Sequence, residues 1–451
     1  MSEESLVIVN ASASGILGEY DHTLSFASED DFVIIYGPNG VGKTKFLEII
    51  DSLSRLDGYR IAKLPFESAV LHYSDASKLS VERILEPEQV DDTGLPEVLA
   101  RFSLERPGQE SITWNYHDPL AEELRKRTRF EQIGDELWRD PIDGEIVETV
   151  ELRARYAPRF RGKRPEGSEV PSKLQKFAEQ VPSFLIETQR LRARQLQRDA
   201  TSSRYGLSRE SRSARSKITE QAEQIRSLLN DAQTEHSRIT QRLDRTFPNR
   251  VLQAARQDSR SDASSIRARY DHQNDFRSRL GRVASVALPE ELALPDGDLE
   301  PWALALLDLY LEDAELKLHP FEDLLEKIEL LETIINDRLL NKHLAVTDQD
   351  GLTVVHSDSQ RSITLDSLSS GEQHEIILMI DLLFHVPKGA VVLIDEPEIS
   401  LHVAWQLAFI PDVKRIAELV GFRFVVATHS PQIINDEWDR AVRLGPEEAI
   451  F

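Results

Sequence analysis

The residues with the clearest chemistry form the turn Gly37-Pro-Asn-Gly-Val-Gly-Lys43-Thr44. Its glycines let successive backbone N–H groups turn inward around a β-phosphate. The Lys43 ammonium group can reach the β- and γ-phosphates, and the Thr44 hydroxyl can ligate Mg²⁺. The turn therefore predicts a binding site for ATP and Mg²⁺. Nucleotide contacts are expected from Gly37, Asn39, Gly40, Gly42, Lys43 and Thr44.

Two carboxylates, Asp395 and Glu396, directly follow the apolar run Val391-Val-Leu-Ile394. Such a run predicts a buried parallel strand, and α/β sheets bind ligands at the carboxyl ends of these strands. Asp395 is suited to hold Mg²⁺, and Glu396 to polarise the water that attacks the γ-phosphate. Both are therefore predicted to belong to the ATP site, with Glu396 as the catalytic base.

Two further predicted strands end in polar side chains. Phe424-Val-Val-Ala-Thr428 leads to His429, whose imidazole can hydrogen-bond the γ-phosphate or its water and report whether that phosphate is present. The run from Phe184 to Leu191 carries Gln189, which can contact the metal and the attacking water. The alternatives are a structural histidine and an ordinary polar strand end.

A second anion site is predicted in Leu368-Ser-Ser-Gly-Glu-Gln-His374, just before a helical stretch. Two hydroxyls and a glycine N–H at a helix start bind anions, so Ser369, Ser370 and Gly371 are expected to contact nucleotide. The chain already has one phosphate loop, so this site is predicted to close on the γ-phosphate held by another subunit. An ordinary helix N-cap is the alternative and would explain Ser370 and Glu372.

These side chains need a scaffold, and the flanking sequence predicts one. The apolar stretch Phe32-Val-Ile-Ile-Tyr36 precedes the phosphate turn and the helix-like Lys45-Phe-Leu-Glu-Ile-Ile50 follows it. Strand, glycine turn and helix are the context that a phosphate loop requires. The Asp350-Gly351 pair further along predicts a hairpin. The sequence therefore predicts an α/β fold with a sheet that positions the nucleotide.

Composition narrows the class of protein. The chain has 451 residues, 40% of them hydrophobic, which is enough for a large core. No apolar run reaches the ~20 residues of a membrane span, and the acidic start does not resemble a signal peptide. The absence of cysteine excludes disulfides and a cysteine nucleophile and is compatible with the cytoplasm. A net charge of −24 disfavours nucleic-acid binding by the average surface.

One segment, residues 190–282, is basic. It holds 20 arginines and one lysine against 11 acidic residues, a balance of +10 that leaves −34 for the rest of the chain. Arginine favours bidentate recognition of phosphate or carboxylate. The segment is therefore predicted to contact DNA or an acidic protein, with a solvated helical face as the alternative. The arginines expected to make these contacts include Arg192, Arg194, Arg198, Arg204, Arg209 and Arg212.

The same segment has helical periodicity. Apolar positions recur at alternating steps of four and three, which is typical of a helix seam. Pro248 is predicted to stop this helix, and a second helix around Val251 to Leu280 is predicted to return antiparallel against it. The prediction is a helical arm inserted between two halves of an ATPase. The seam consists of Ile218, Ala222, Ile225, Leu229, Ala232, His236, Ile239 and Leu243.

The four motifs GPNGVGKT, LSSGEQ, VVLIDEPE and ATHS occur in this order around a long helical insertion. In this the chain resembles the ABC-type ATPases of the RecF, SMC and OLD group, over roughly residues 1–80, 181–191 and 340–435. The resemblance implies an ABC-ATPase head, a P-loop fold with a mixed sheet and helices that a coiled-coil-like helical arm interrupts. It places Lys43 and Thr44 in Walker A, Asp395 and Glu396 in Walker B, Ser369 and Gly371 in the signature, His429 as the switch histidine and, by position alone, Gln189 in the Q-loop.

Glu396 to His402, followed by ATHSPQII, most resembles the OLD-like ATPases of bacterial anti-phage systems. OLD proteins continue into a Toprim nuclease, whereas this sequence stops at Phe451. It therefore more closely resembles the stand-alone AAA15-type ATPase subunits of two-gene systems of the PARIS or Septu kind. That resemblance implies a sensor ATPase that holds and releases a separate nuclease, responds to a phage component, and forms a head-to-tail homodimer or a larger oligomer such as a hexamer.

The alternative function is a RecF- or SMC-like repair ATPase that binds DNA; a transporter ATPase fits poorly, because a basic arm has no place in one. The expected domains are an N-terminal ATPase lobe with Walker A (1–191), a basic helical arm (192–287) and a C-terminal ATPase lobe with the remaining motifs (288–451). A cytoplasmic location without membrane contact is expected.

Overall fold

The structure is a computed structural model. It describes residues 6–26, 32–90, 96–116, 128–133, 137–142, 144–148, 151–152, 155–156, 170–187, 216–254, 262–284, 294 and 300–446. The predicted site residue Gln189 and the arginines from Arg192 to Arg212 lie outside the described residues.

The strands are β1 (Ile8–Ile16), β2 (Tyr20–Ser25), β3 (Phe32–Tyr36), β4 (Ser68–Tyr73), β5 (Lys78–Val90), β6 (Pro96–Glu105), β7 (Ile112–Tyr116), β8 (Glu131–Gln132), β9 (Leu137–Arg139), β10 (Ile146–Glu148), β11 (Ser183–Glu187), β12 (Lys342–Thr347), β13 (Gly351–His356), β14 (Ser362–Ile363), β15 (Val391–Asp395), β16 (Arg423–Thr428) and β17 (Ala441–Arg443). The α-helices are α1 (Lys43–Ser54), α2 (Gly58–Lys63), α3 (Ser172–Ala178), α4 (Lys217–Ala254), α5 (Ala263–Val283), α6 (Pro301–Leu318), α7 (Glu322–Asn336), α8 (Ser370–Ile380), α9 (Val403–Val420) and α10 (Pro431–Ile434). A π-helical turn, Asp381–His385, continues α8.

The chain divides into two compact units. The first comprises Met1–Gln189, Val386–Ile399 and Val420–Phe451, and the second comprises Arg190–His385 and Ser400–Leu419. The three-part division into residues 1–191, 192–287 and 288–451 stays a prediction.

The first unit contains the sheet that the motifs predict. Its strands follow the order β11-β15-β16-β3-β17, and every neighbouring pair is parallel. The apolar runs of β3, β15 and β16 are buried along almost their whole length, as expected for parallel strands covered on both faces. A second sheet, β2-β1-β4-β5-β6-β7, is antiparallel throughout.

Helix α1 packs between these two sheets. It contacts β1, β4 and β5 of the antiparallel sheet and β11, β15 and β16 of the parallel one. Phe46, Leu47, Ile49 and Leu53 are all fully buried, which matches a helix that is apolar on several faces because it has sheet on both sides. The phosphate turn therefore leads into a helix that is buried between two sheets.

The second unit is mainly helical. The long helix α4 packs against α6, against β13 and against α8, and the hairpin β12-β13 predicted at Asp350-Gly351 is present. Six of the eight predicted seam positions of α4 are buried, and the other two, His236 and Ile239, are half-buried. The predicted α/β fold, a P-loop sheet with helices interrupted in sequence by long helices, is confirmed, and its parallel and antiparallel strands lie in separate sheets.

Two predictions about the arm helices are wrong. Helix α4 continues through Pro248 to Ala254, although proline lacks the N–H that would bond to the preceding turn. Close to the proline, the Leu243 carbonyl accepts from the Thr246 hydroxyl at 3.1 Å and from Arg250 Nη2 at 3.0 Å. Helices α4 and α5 do not form the predicted hairpin, because each packs mainly against α6.

Several described arginines of this basic segment bind carboxylates within the same unit. Arg279 binds both oxygens of Glu329, at 3.0 and 2.8 Å, in the bidentate geometry that arginine favours. Such pairing neutralises cations that would otherwise face solvent. Further pairs join Arg250 with Asp313, Arg269 with Asp308 and Glu315, and Arg282 with Glu329 and Glu332.

Candidate nucleotide-binding site

The phosphate turn is held in place by a close backbone contact. A Cβ atom on Gly37 would lie 2.3 Å from the carbonyl oxygen of Leu444, so only glycine fits there. The Leu444 N–H in turn donates to the carbonyl of Tyr36 at 2.8 Å. The strand β17 thus fixes the start of the turn, and the exposed residues Asn39 and Gly40 form its tip.

Lys43 begins helix α1 and bends back over the turn. Its Nζ donates to the carbonyls of Gly37 and Pro38, each at 3.0 Å, and lies 2.7 Å from His429 Nε2. Burial lowers the pKa of the Lys43 ammonium group, against the opposing effect of nearby carboxylates, of which Glu396 is the strongest. The ammonium group therefore lies on the concave side of the loop, at the end of the sheet.

Asp395 and Thr44 meet at the same edge. The Thr44 hydroxyl donates to Asp395 Oδ1 at 3.2 Å. Burial, reinforced by the carboxylates of Glu396, Glu48 and Glu187, raises the pKa of Asp395 to about 7 in spite of that hydrogen bond. A cation at this position would relieve the repulsion.

These two oxygen ligands fit Mg²⁺, which protein sites usually hold through one or two carboxylates together with water and phosphate oxygens. Within the described part of the chain, no three His, Asp or Glu side chains converge as a complete metal cage. Thr44 and Asp395 would therefore hold the ion jointly with a nucleotide, as the sequence predicts.

Glu396 follows β15 in a left-handed backbone conformation with φ of 46°. Its N–H donates to the Ala427 carbonyl of β16 at 2.8 Å, which fixes the turn, and its Oε1 lies 3.2 Å from His429 Nε2. That nitrogen is also next to Lys43, so it either accepts from the ammonium group or donates to the carboxylate, depending on the tautomer. Glu396, His429 and Lys43 thus form one contiguous polar group.

Glu398 is a structural member of the site to which sequence reasoning assigned no role. One of its oxygens accepts three hydrogen bonds, from the Thr428 hydroxyl at 2.7 Å, the His429 N–H at 2.6 Å and the Ser430 N–H at 3.1 Å. It therefore ties the turn after β15 to the end of β16 and orients the backbone of His429. Its position in the run Asp395-Glu-Pro-Glu398, two residues after Glu396, was the feature of the sequence that indicated a place in the site.

The second predicted anion site is in the other compact unit. Ser369, rather than Ser370, is the N-cap of α8, and it forms a capping box with Glu372. Glu372 accepts from the Ser369 N–H at 2.8 Å and from Lys342 at 2.7 Å. Ser369 and Ser370 are exposed at the helix start, and Gly371 is half-buried. The N-cap that was the alternative is thus present, one residue earlier than expected, and anion binding by Ser369, Ser370 and Gly371 stays a prediction.

A strand–glycine turn–helix at the edge of a parallel sheet, with Lys43, Thr44 and Asp395 converging on it, defines a P-loop ATPase. Residues 195–435, more than half of the chain, match the family described as "AAA domain, putative AbiEii toxin, Type IV TA system", and the chain belongs to that family. No curated protein matches the chain.

Solved structures similar to the chain include two SMC head domains. The Pyrococcus furiosus SMC head with an extended coiled coil, bound to the C-terminal domain of ScpA, is 13% identical with a TM-score of 0.34; the alignment covers 95% of this chain and 91% of that one. The Thermotoga maritima SMC head is 11% identical with a TM-score of 0.30, covering 96% and 92%. Among the described helices, none has the length and apolarity required to cross a membrane.

Proposed function

We propose that the chain binds ATP with Mg²⁺ at the phosphate turn and hydrolyses it to ADP and phosphate. The observation that carries the proposal is the convergence of five side chains at one sheet edge, in two hydrogen-bonded groups: Thr44 with Asp395, and His429 with Lys43 and Glu396. These side chains come from the start of α1 and from the ends of two parallel strands.

The chemistry follows from the positions of these groups. Lys43 neutralises charge on the β- and γ-phosphate oxygens, and Glu396 accepts the proton of the attacking water. His429 touches both residues and is placed to hydrogen-bond the γ-phosphate. Bound Mg²⁺ would neutralise developing phosphate charge, with Thr44 and Asp395 as its protein ligands.

Glu396→Gln tests the catalytic base. The variant keeps size and polarity but cannot take a proton, so ATP should still bind while turnover falls by about 10² to 10⁴. Glu418→Gln, an exposed position on α9, is the matched control and should retain the wild-type rate. Phosphate release and nucleotide binding are measured on the same preparations.

Wild-type turnover in Glu396→Gln would contradict the assignment of the base. Lys43→Ala should lose nucleotide binding itself, since the buried ammonium group faces the position of the phosphates. If Lys43→Ala bound ATP as tightly as wild type, the phosphate site would have to be placed elsewhere.

We also infer that the active unit is a head-to-tail homodimer in which Ser369, Ser370 and Gly371 of one subunit close on the nucleotide of the other. The exposed, capped start of α8 supports this inference. Mixing Lys43→Ala chains with Ser369→Arg chains should restore one intact composite site. The absence of any recovered activity in demonstrably mixed dimers would refute this inference. The mass of the native assembly would give the number of subunits, including that of a hexamer or another larger oligomer.

For the cellular role, we propose an ATPase of a bacterial anti-phage system that holds a separate effector protein, such as a nuclease, and releases it in response to a phage component. The support for a second component is the family description, which names a toxin–antitoxin system and hence a pair of gene products. Co-purification with the product of the adjacent gene, with and without ATP, tests the role. Binding that does not change with nucleotide would contradict release.

Arg250, Arg269 and Arg279 of helices α4 and α5 pair with carboxylates of their own unit, which argues against their use in DNA binding. DNA binding by the arm therefore depends on the remaining basic residues. Replacing Arg192, Arg194 and Arg198 with glutamine should leave duplex affinity and its salt dependence unchanged if the partner is a protein. If the target is DNA, each lost phosphate contact should lower the salt slope by about one.

A further inference from the structure

A buried histidine, His22, lies against the phosphate turn from an element that the ATP chemistry does not use. It belongs to β2 and is 3% exposed. Its Nε2 lies 2.7 Å from the carbonyl oxygen of Val41, and its Nδ1 lies 3.0 Å from the carbonyl oxygen of Asp21. Both contacts are to carbonyl oxygens, and a neutral imidazole has a single N–H; the shorter contact assigns it to Nε2, which then donates to Val41.

The surroundings hold the ring in one orientation. Tyr20 stacks beside it with the ring centres 6.1 Å apart, and Phe46 of α1 meets it edge-on at 5.6 Å. On the loop side, a Cβ atom on Gly42 would lie 2.7 Å from the Ile16 side chain, so the turn is pressed directly onto β1. The imidazole ring is therefore held in one position by its neighbours, and the loop packs directly against β1.

The hydrogen bond to Val41 sets the direction of the next amide. The carbonyl of Val41 and the N–H of Gly42 belong to the same planar trans peptide unit and point in opposite directions. With the carbonyl held inward by His22, the Gly42 N–H points away from the core. Gly42 has a left-handed backbone, with φ of 89°, and immediately precedes Lys43 at the start of α1.

We propose that His22 is a positioning residue for nucleotide binding: by holding the Val41 carbonyl, it aims the Gly42 N–H at the β-phosphate of a bound nucleoside di- or triphosphate. The proposal rests on the proposed ATPase function. An apolar residue of similar size would fill the same space and leave the Val41 carbonyl without its donor. The peptide unit could then rotate, and one phosphate contact would be lost.

The test compares His22→Gln with His22→Leu. Glutamine places an amide N–H close to the position of Nε2 and should restore binding, whereas leucine fills the space without a donor. His22→Leu should weaken ADP binding about tenfold, the typical effect of one lost hydrogen bond to a charged group, with His22→Gln near wild type. In steady-state kinetics KM for ATP should rise and kcat should change little, since the contact exists before and during the reaction.

His72→Leu, on the exposed side of β4, is the control and should bind ADP normally. Thermal unfolding without nucleotide separates a folding defect from a binding defect, and the glutamine variant keeps the test valid if the leucine variant does not fold. Equal ADP affinity of His22→Leu and wild type would overturn the role of His22 alone. If His22→Gln bound ADP as weakly as His22→Leu, the proposal would also be overturned, because the effect would then come from packing and not from the hydrogen bond. A wild-type chain that binds no ADP would overturn the ATPase function as well.

Discussion

Replacing Glu375 with glutamine is expected to make the protein more stable at neutral and alkaline pH and to change its stability by less than ~1 kcal/mol at pH 5. Glu375 lies in α8 and is 1% exposed, and its Oε2 has no hydrogen-bond partner. Burial raises the pKa of its carboxyl group to about 8; Arg338 opposes this effect and Asp412 adds to it. The folded protein therefore holds a proton there that the unfolded chain releases.

The size of the effect follows from proton linkage. In the unfolded chain the carboxyl group ionises near its ordinary value of 4.5, whereas in the folded chain it ionises near 8. Between these values the unfolded state binds fewer protons, so the free energy of unfolding falls with rising pH by at most ~1.4 kcal/mol per pH unit. Glutamine resembles the protonated acid and has no such dependence. At pH 7 the variant should therefore be more stable than wild type by up to ~3 kcal/mol.

Urea unfolding of wild type and Glu375→Gln at pH 5, 6, 7 and 8, without nucleotide, measures the difference. Glu326→Gln, at an exposed position of α7, is the control and should follow the wild-type pH dependence. Parallel pH curves for Glu375→Gln and wild type would refute the buried neutral carboxyl group. So would a variant that is less stable than wild type at pH 8.

Three further changes have defined outcomes. Glu398→Ala should lower kcat about 10- to 100-fold while ATP still binds, because His429 loses the carboxylate that orients its backbone. An unchanged kcat in steady-state kinetics would contradict this role. Asp381→Asn should destabilise the start of α4 by about 1–3 kcal/mol, because Asp381 binds Lys217 at 3.0 Å, and hydrogen exchange of the α4 amides would measure it. Pro248→Ala should raise the melting temperature, because it restores a helical N–H; a lower value would mean that the proline is needed.

The parallel sheet was predictable because each of its central strands is a short apolar run followed by the residues that do chemistry. Phe32–Tyr36 and Val391–Asp395 are strands as predicted. Their carboxyl ends lie at the same edge because all strands of a parallel sheet run in one direction. The hairpin at Asp350-Gly351 was predictable from turn chemistry alone. Elements whose conformation depends on residues adjacent in sequence, such as these strands and this turn, can therefore be predicted from the sequence.

Interactions between distant residues were not predictable in the same way. Helix α4 continues past Pro248, and just beyond the proline Arg250 binds both Asp313 of α6 and the carbonyl of Leu243. The role of Glu398 depends on the backbone of residues 428–430 in the adjacent strand. The order of the six antiparallel strands likewise depends on pairings that single-strand patterns do not encode.

The position of β3 in its sheet has a consequence for how the protein is made. Its neighbours are β16 and β17, so residue 32 pairs with residue 424, and Gly37 packs against Leu444. At a synthesis rate of about 5–20 residues per second, β3 waits roughly 20 to 80 s on the ribosome before its first sheet partner exists. During that interval the apolar strand Phe32–Tyr36 has no partner within this sheet, and the phosphate turn lacks its contact with the backbone of Leu444. The order of translation therefore makes the nucleotide site one of the last parts of the molecule to mature, and a nascent-chain series assayed for nucleotide capture should gain it only once residues beyond 444 have left the exit tunnel.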